Sequence, residues 1–266
     1  MYKLLATDLD GTLLNNLCEI PANNRTAIQK ALAQGVHVCL CSGRPYLSMR
    51  PFEEQLGLRG DGHYGIAFNG AMVYETKDHH ALRDLRLDHT LAMEIIDAMA
   101  PYSGDMLVYD GSNLFARDNT VALRLYVERV GISVQYVDSF ASLKGHFSKV
   151  LLRGKHDMLL DVQAAMRLQF ADRCNIFLTE RNLLEFTAPS ADKGSALIFL
   201  ADRLGIDMRE VIAIGDNFND LHMIGAAGLG VATANAVDAA KEAAGYVTRA
   251  DNNAGALAEL IDKFIV

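Results

Sequence analysis

The ten residues Leu4-Leu5-Ala6-Thr7-Asp8-Leu9-Asp10-Gly11-Thr12-Leu13 constrain this chain more than any other stretch. An apolar run delivers two carboxylates, one residue apart, into a glycine turn. Side chains alternate along a strand, so Asp8 and Asp10 start on the same side, and the turn at Gly11 can bring side chains and main chain around one point. Two like charges that close repel, and burying them together needs a cation or a shared proton. The pair therefore reads as a metal site, as an acid/base pair, or as two aspartates that simply cap a turn.

Half of the 266 residues are hydrophobic, enough for a large core and too many for a disordered chain. Lys and Arg total 25 against 33 Asp and Glu, a net charge of −8, which argues against a protein held to nucleic acid by phosphate contacts. Cys18, Cys39, Cys41 and Cys174 lack paired metal-ligand spacing and read as reduced thiols, which fits a cytoplasmic protein. The first apolar run is too short for a signal peptide, and no apolar stretch reaches membrane-spanning length, so no membrane partner is expected. Oligomeric state leaves no trace in the sequence.

Pro21 opens a helix carrying Ala27, Ile28, Ala31 and Leu32 at helical spacing; Gly35 ends it, and Val36-His37-Val38-Cys39-Leu40-Cys41 reads as a buried strand. Strand, helix, strand implies a parallel right-handed crossover in a doubly wound sheet, whose ligands bind outside the carboxyl ends of the strands. The second strand runs into Ser42-Gly43-Arg44-Pro45: a hydroxyl, a close-approach glycine and a helix-starting proline, suited to seating an anion and equally to an ordinary turn. A strand over 64–68 leads to Asn69-Gly70, the strongest hairpin signal in the chain. The rhythm then changes. Helices over 91–100, 121–130 and 158–170, a strand pair around Asp110-Gly111, and strands over 147–152 and 175–178 outline a separate α+β module. The doubly wound pattern resumes with the strand Leu183-Leu184-Glu185-Phe186-Thr187, the helix start Asp192-Lys193-Gly194, and Val211-Ile212-Ala213-Ile214 running into Gly215-Asp216-Asn217-Phe218-Asn219-Asp220. The expected architecture is α/β: a doubly wound, mostly parallel sheet in a discontinuous core, 1–82 and 185–266, with an inserted α+β domain at 83–184.

Asp8 and Asp10, Ser42 and Gly43, Lys193, and Asp216 with Asn219 and Asp220 all fall at strand ends or helix starts on one edge of such a sheet. Several carboxylates around one point suit a hard cation, and Mg²⁺ takes a few carboxylates, waters and a phosphate oxygen. Zinc is disfavoured, since no His or Cys accompanies them. Lys193, Ser42, Gly43 and helix N-termini supply donors for a phosphoryl group. Acids for a metal and donors for a phosphate imply phosphoryl transfer. Asp8, neutralised by Mg²⁺ and Lys193, can attack phosphorus to give an aspartyl phosphate; Asp10 then serves as general acid and base, and Asp216 holds the metal.

Asp-Leu-Asp-Gly-Thr, Ser42 at the second strand end, Lys193-Gly194 and Gly-Asp-Asn-x-Asn-Asp resemble the four motifs of the haloacid dehalogenase superfamily. Arg44-Pro45, Asn69-Gly70-Ala71, the insert, Gly230-Val231-Ala232 and Asn235-Ala236 resemble its Cof-type phosphatases, including bacterial sugar phosphatases. The resemblance implies a Rossmann-like core, with the insert as a cap domain that sets substrate specificity. It implies Asp8 as nucleophile, Asp10 as acid/base, and Asp8, the Asp10 main-chain carbonyl and Asp216 as Mg²⁺ ligands. Phosphate contacts would come from the Leu9 main chain, Ser42, Gly43, Lys193 and Asn219, with Asp220 behind them orienting the metal site or Lys193. Arg44 and Asn69 are further candidates for substrate contact.

The expected function is a Mg²⁺-dependent phosphomonoesterase acting on small phosphorylated metabolites, sugar phosphates first. A sugar phosphomutase would use the same aspartyl phosphate and return the group to a sugar. A phosphoryl-accepting regulatory module needs neither Asp10 nor an insert, so both speak against it. The dispersed histidines, Met93, Met99 and Met166 read as scaffold, as does Glu185 in its strand.

Overall fold

The computed structural model describes residues 1–266, the side chain of Glu180 excepted. The chain runs β1 (Leu4–Thr7), α1 (Ala22–Ala33), β2 (His37–Cys41), α2 (Tyr46–Gln55), β3 (Tyr64–Ala67), β4 (Met72–Glu75) and β5 (Ala81–Asp84). It continues with α3 (His89–Met99), β6 (Asp105–Asp110), β7 (Asn113–Ala116), α4 (Val121–Val130), β8 (Val134–Tyr136), β9 (Lys149–Arg153), α5 (His156–Phe170), β10 (Asn175–Glu180) and β11 (Leu183–Thr187). The last stretch holds α6 (Lys193–Leu204), β12 (Val211–Gly215), α7 (Leu221–Ala226), β13 (Leu229–Ala232), α8 (Asp238–Ala243), β14 (Tyr246–Val247) and α9 (Ala256–Phe264).

Two compact units emerge: Met1–Arg83 with Asp192–Val266, and Asp84–Ala191. The first is built on an eight-stranded sheet of order β14-β13-β12-β1-β2-β3-β4-β5. Its strands from β14 to β3 are parallel, and β4 turns back antiparallel on β3. β1 lies in the middle, with Thr7 beside Ile214 of β12 on one side and Leu40 of β2 on the other. That register decides where the site forms: Asp8, the end of β2 and Gly215-Asp216 all leave the sheet at one edge. Leu4 and Ala6 face a core that includes Cys39, Cys41, Ala213, Leu197 and Leu200, so α6 covers this face. Alternation then places Asp8 on the α6 side as well.

Pro21 stands before α1 as expected. The hairpin at Asn69-Gly70 exists, but its loop is longer than the dipeptide suggests. Ala67 pairs with Met72, and Phe68, Asn69 and Gly70 all take positive φ values, of 53°, 55° and 95°.

The second unit is organised on a six-stranded sheet, β10-β11-β9-β6-β7-β8, antiparallel except for β7 with β8. One core of this unit joins Leu91, Ile95 and Met99 of α3 and Leu159, Val162 and Met166 of α5 to Val108, Val150, Leu184 and Phe186 of the sheet. Here one expectation is corrected. The strand Leu183–Thr187 was expected to reopen the parallel core at 185; it pairs antiparallel with β9 and β10, and the first unit resumes at Asp192. Its five residues are all buried, and a buried strand carries the same apolar signature in either kind of sheet. Among the described residues no helix is long and apolar enough to cross a membrane.

Candidate active site

The site is assembled from four connections at one edge of the eight-stranded sheet. At the end of β1 the Asp8 N–H donates to the Ile214 carbonyl (3.0 Å), so Asp8 extends the β1–β12 pairing by one step. The chain then turns: the Leu9 carbonyl accepts from the Leu14 N–H (2.8 Å) and Leu9 itself is buried. Gly11 sits at φ +80°, and a Cβ there would lie 2.4 Å from Asp216 Oδ2, so only glycine lets the turn approach Asp216 this closely. The next residue, Thr12, donates its hydroxyl to Asp216 Oδ1 (3.0 Å).

Lys193 is the first residue of α6, whose N-cap Asp192 accepts from the Ser195 N–H (2.8 Å). Its side chain is fully buried, and Nζ donates to Asp8 Oδ1 at 2.5 Å and to Asp220 Oδ1 at 2.6 Å. Asp220 is itself fixed, because its Oδ2 accepts from the N–H groups of Asp216 (2.9 Å) and Asn217 (3.0 Å). Gly215 makes that fold-back possible: a Cβ there would stand 2.4 Å from the Asp220 carboxyl carbon. Ligand-capable oxygens of Asp8, Asp216 and Asp220 come within 4.8 Å of one another.

Ser42 is buried at the end of β2; its N–H donates to the Ile66 carbonyl (2.8 Å), its carbonyl accepts from the Asn69 N–H (3.0 Å), and its Oγ accepts from the Arg44 N–H (3.1 Å). The Asn69 carboxamide lies against Gly43 and accepts through Oδ1 from Asn219 Nδ2 (2.9 Å). Asn69 and Asn219, expected separately as substrate and phosphate contacts, are thus one hydrogen-bonded pair. Arg44, the other candidate for substrate contact, instead forks onto Asp10, Nε to Oδ2 at 2.7 Å and NH2 to Oδ1 at 2.6 Å. Sequence reasoning gave no role to Thr12 or to Asn235, whose Nδ2 donates to the Gly11 carbonyl (2.8 Å). The available signal for Thr12 was a hydroxyl one residue past a turn glycine; Asn235 pairs across 224 positions, and its signal was the Asn235-Ala236 motif, which carried the resemblance without a role.

The cluster carries excess negative charge. Burial, together with Asp220, Asp216 and Asp10, pushes the Asp8 carboxyl well above the usual range against the pull of Lys193. Burial and Asp220 push Asp216 up to about 6, opposed by the Thr12 hydrogen bond. Burial acts to lower the Lys193 ammonium, but Asp220 and Asp8 outweigh it and hold its pKa above the ordinary lysine range. Lys193 and the two N–H groups already occupy Asp220, which leaves Asp8 and Asp216 as the carboxylates with oxygen to offer. An all-oxygen donor set with surplus negative charge fits a hard divalent cation. A phosphoryl group held near Asp8 would meet Lys193 and the N-terminal end of α6, both favourable to an anion.

A family profile described as haloacid dehalogenase-like hydrolase matches residues 5–261. The Bacillus subtilis protein YxeH, provisionally named a phosphatase, is 34% identical over 259 residues, covering 96% of each chain. The HMP-PP phosphatase of Serratia proteamaculans is 30% identical over 89% of this chain and 85% of its own. The crystal structure of a haloacid dehalogenase-like hydrolase from Bacteroides thetaiotaomicron superposes with a TM-score of 0.91 at 28% identity, covering both chains in full.

Proposed function

The chain belongs to the haloacid dehalogenase-like hydrolases and is one of their phosphatases; from that premise we propose that it is a Mg²⁺-dependent phosphomonoesterase working through an aspartyl phosphate on Asp8. The observation that carries this reading is the buried triad in which Lys193 Nζ contacts both Asp8 and Asp220 while Asp216 stands within ligand distance.

Asp8 Oδ2 attacks phosphorus in line with the leaving oxygen; the new bond is Asp8 O–P and the bond broken is P–O to the substrate. Lys193 holds Asp8 in place and places positive charge where the phosphoryl oxygens gather negative charge. Asp10 gives its proton to the departing alkoxide, then takes one from the water that cleaves the acyl phosphate, releasing inorganic phosphate and restoring Asp8. Asp8, Asp216 and the Asp10 main-chain carbonyl would hold Mg²⁺, which when bound neutralises charge on the phosphoryl oxygens. Asn219, Ser42, Gly43 and the Leu9 main chain seat the phosphate. Asp220 keeps Lys193 aimed.

Small phosphorylated metabolites are the substrate class, sugar phosphates first, and residues 84–191 select among them. Relatives named an HMP-PP phosphatase and a 5-amino-6-(5-phospho-D-ribitylamino)uracil phosphatase widen the set worth testing to HMP-PP and phosphorylated uracil heterocycles. The experiment is a panel of sugar phosphates, these compounds and phosphoproteins, assayed with Mg²⁺ for released phosphate. Turnover of small phosphates without a bisphosphate activator supports the proposal. Isomerised sugar phosphate with little free phosphate would instead make the protein a mutase.

A further inference from the structure

Asp10 stands on the turn with 52% of its side chain exposed, while Asp8, two residues earlier, is buried. A half-exposed aspartate samples several rotamers, and a proton carrier must be held in one. The constraint comes from Arg44. Its guanidinium meets the carboxylate through two parallel hydrogen bonds, at 2.7 and 2.6 Å, the geometry that fixes orientation as well as distance.

The arm is itself immobilised. Arg44 is only 12% exposed, its guanidinium carbon lies 5.5 Å from the centre of the Phe52 ring, and NH2 also reaches Cys18 Sγ at 4.0 Å. Its main chain is tied at both ends, the N–H to Ser42 Oγ (3.1 Å) and the carbonyl to the Phe68 N–H (3.1 Å). Ser42 and Gly43 immediately precede it, so one short connection carries both the proposed phosphate seat and the arm that reaches Asp10.

We infer that Arg44 is a positioning residue: it sets the Asp10 carboxylate to take the proton of the water that cleaves the acyl phosphate, in place of the substrate contact its sequence position suggested. The inference rests on the proposed role of Asp10 as proton carrier. A residue that acts only through Asp10 has no effect once Asp10 is disabled; a residue that grips the leaving group keeps its effect.

The test is a double-mutant cycle on the Mg²⁺-loaded enzyme with p-nitrophenyl phosphate. Arg44→Ala should lower kcat by roughly ten- to a hundredfold with KM changed by less than about twofold, the signature of lost alignment. In the Asp10→Asn background the same change should lower kcat by less than about twofold. Guanidinium ion should restore part of kcat to Arg44→Ala and none to the double variant, and Arg44→Lys should stay impaired because an ammonium cannot form the fork. Arg44→Gln enters the same cycle should the alanine variant be recovered unfolded. Losses that multiply in the double variant, or an Arg44→Ala effect confined to KM, overturn the assignment while leaving Asp10 in its role. An Asp10→Asn enzyme with undiminished kcat removes that role, and this inference with it.

Discussion

Lys193 and Lys149 are both buried lysines bonded to carboxylates, one in each unit, and their surroundings differ in kind. Lys149 Nζ donates to Glu185 Oε1 at 3.1 Å across neighbouring strands, and the same oxygen accepts from the Thr179 hydroxyl (3.0 Å). The Tyr109 ring lies 5.2 Å from that ammonium. This pair lies within a sheet, Lys149 on β9 and Glu185 on β11. Lys193 lies at strand ends, where three carboxylates converge. A buried pair can persist as architecture; a cluster with surplus charge, in which Asp8 and Asp216 are pushed upward in pKa, is arranged for something that arrives.

The sharpest way to break this comparison is to remove each ammonium. Lys193→Met should lower kcat by roughly a thousandfold, the scale of a lost electrostatic stabiliser in a dry site. Lys149→Met should leave kcat on p-nitrophenyl phosphate nearly intact and cost about 3–5 kcal/mol of stability in urea unfolding, because Glu185 stays buried. Equal kcat losses in the two variants would erase the distinction.

Replacing both partners sharpens it. Lys149→Met with Glu185→Leu should regain most of the stability lost by the single change, since apolar pairs of similar volume substitute well for buried ion pairs. Lys193→Met with Asp220→Leu should regain no turnover. Metal removal probes the surplus charge itself: chelation should silence turnover, and Mg²⁺ at a hundred times its Kd should restore it and add about 3 kcal/mol of stability. Asp216→Asn should abolish that increment. Metal-independent hydrolysis would contradict the donor set.

Glu53 provides the smallest and most local test. It is fully buried in α2, accepts from the Tyr74 hydroxyl at 2.5 Å, and has Arg59 NH1 and His79 Nε2 at 3.7 and 3.6 Å. Burial pushes it up to about 7 from the usual 4.5, against the Tyr74 and Arg59 contacts. The folded state thus holds this proton more tightly than the unfolded one. Its contribution is complete below about pH 4.5 and is lost as pH rises through about 7, a swing of about 2–3 kcal/mol. Urea midpoints at pH 4.5 and 8 should fall with pH in the parent and much less in Glu53→Gln; parallel slopes would refute the assignment.

Much of this was legible in the sequence where local pattern and chemistry coincide. Asp8, Lys193 and Asp216 were readable because each ends a strand or starts a helix, and parallel register gathers such ends at one edge. β11 was misplaced because Leu183-Leu184-Glu185-Phe186-Thr187 is apolar enough for either sheet, and its partner Lys149 lies 36 residues back. β5 and β8 escaped notice because Ala81-Leu82-Arg83-Asp84 and Val134-Gln135-Tyr136 are short and largely polar or exposed, without a buried face to impose alternation. The Arg44–Asp10 fork spans 34 residues between two turns, and only the sheet register brings them together.

The most direct measurement is to trap the covalent intermediate. The Mg²⁺-loaded enzyme is mixed with a turning-over phosphate ester, quenched in acid within milliseconds, and treated with borohydride, which reduces an acyl phosphate but not a free carboxylate. The account predicts a mass change on the peptide carrying Asp8 in the parent protein, lost in Asp8→Asn together with turnover. Continued phosphate release with no modification at Asp8, or release by Asp8→Asn at near-parent rates, would contradict it.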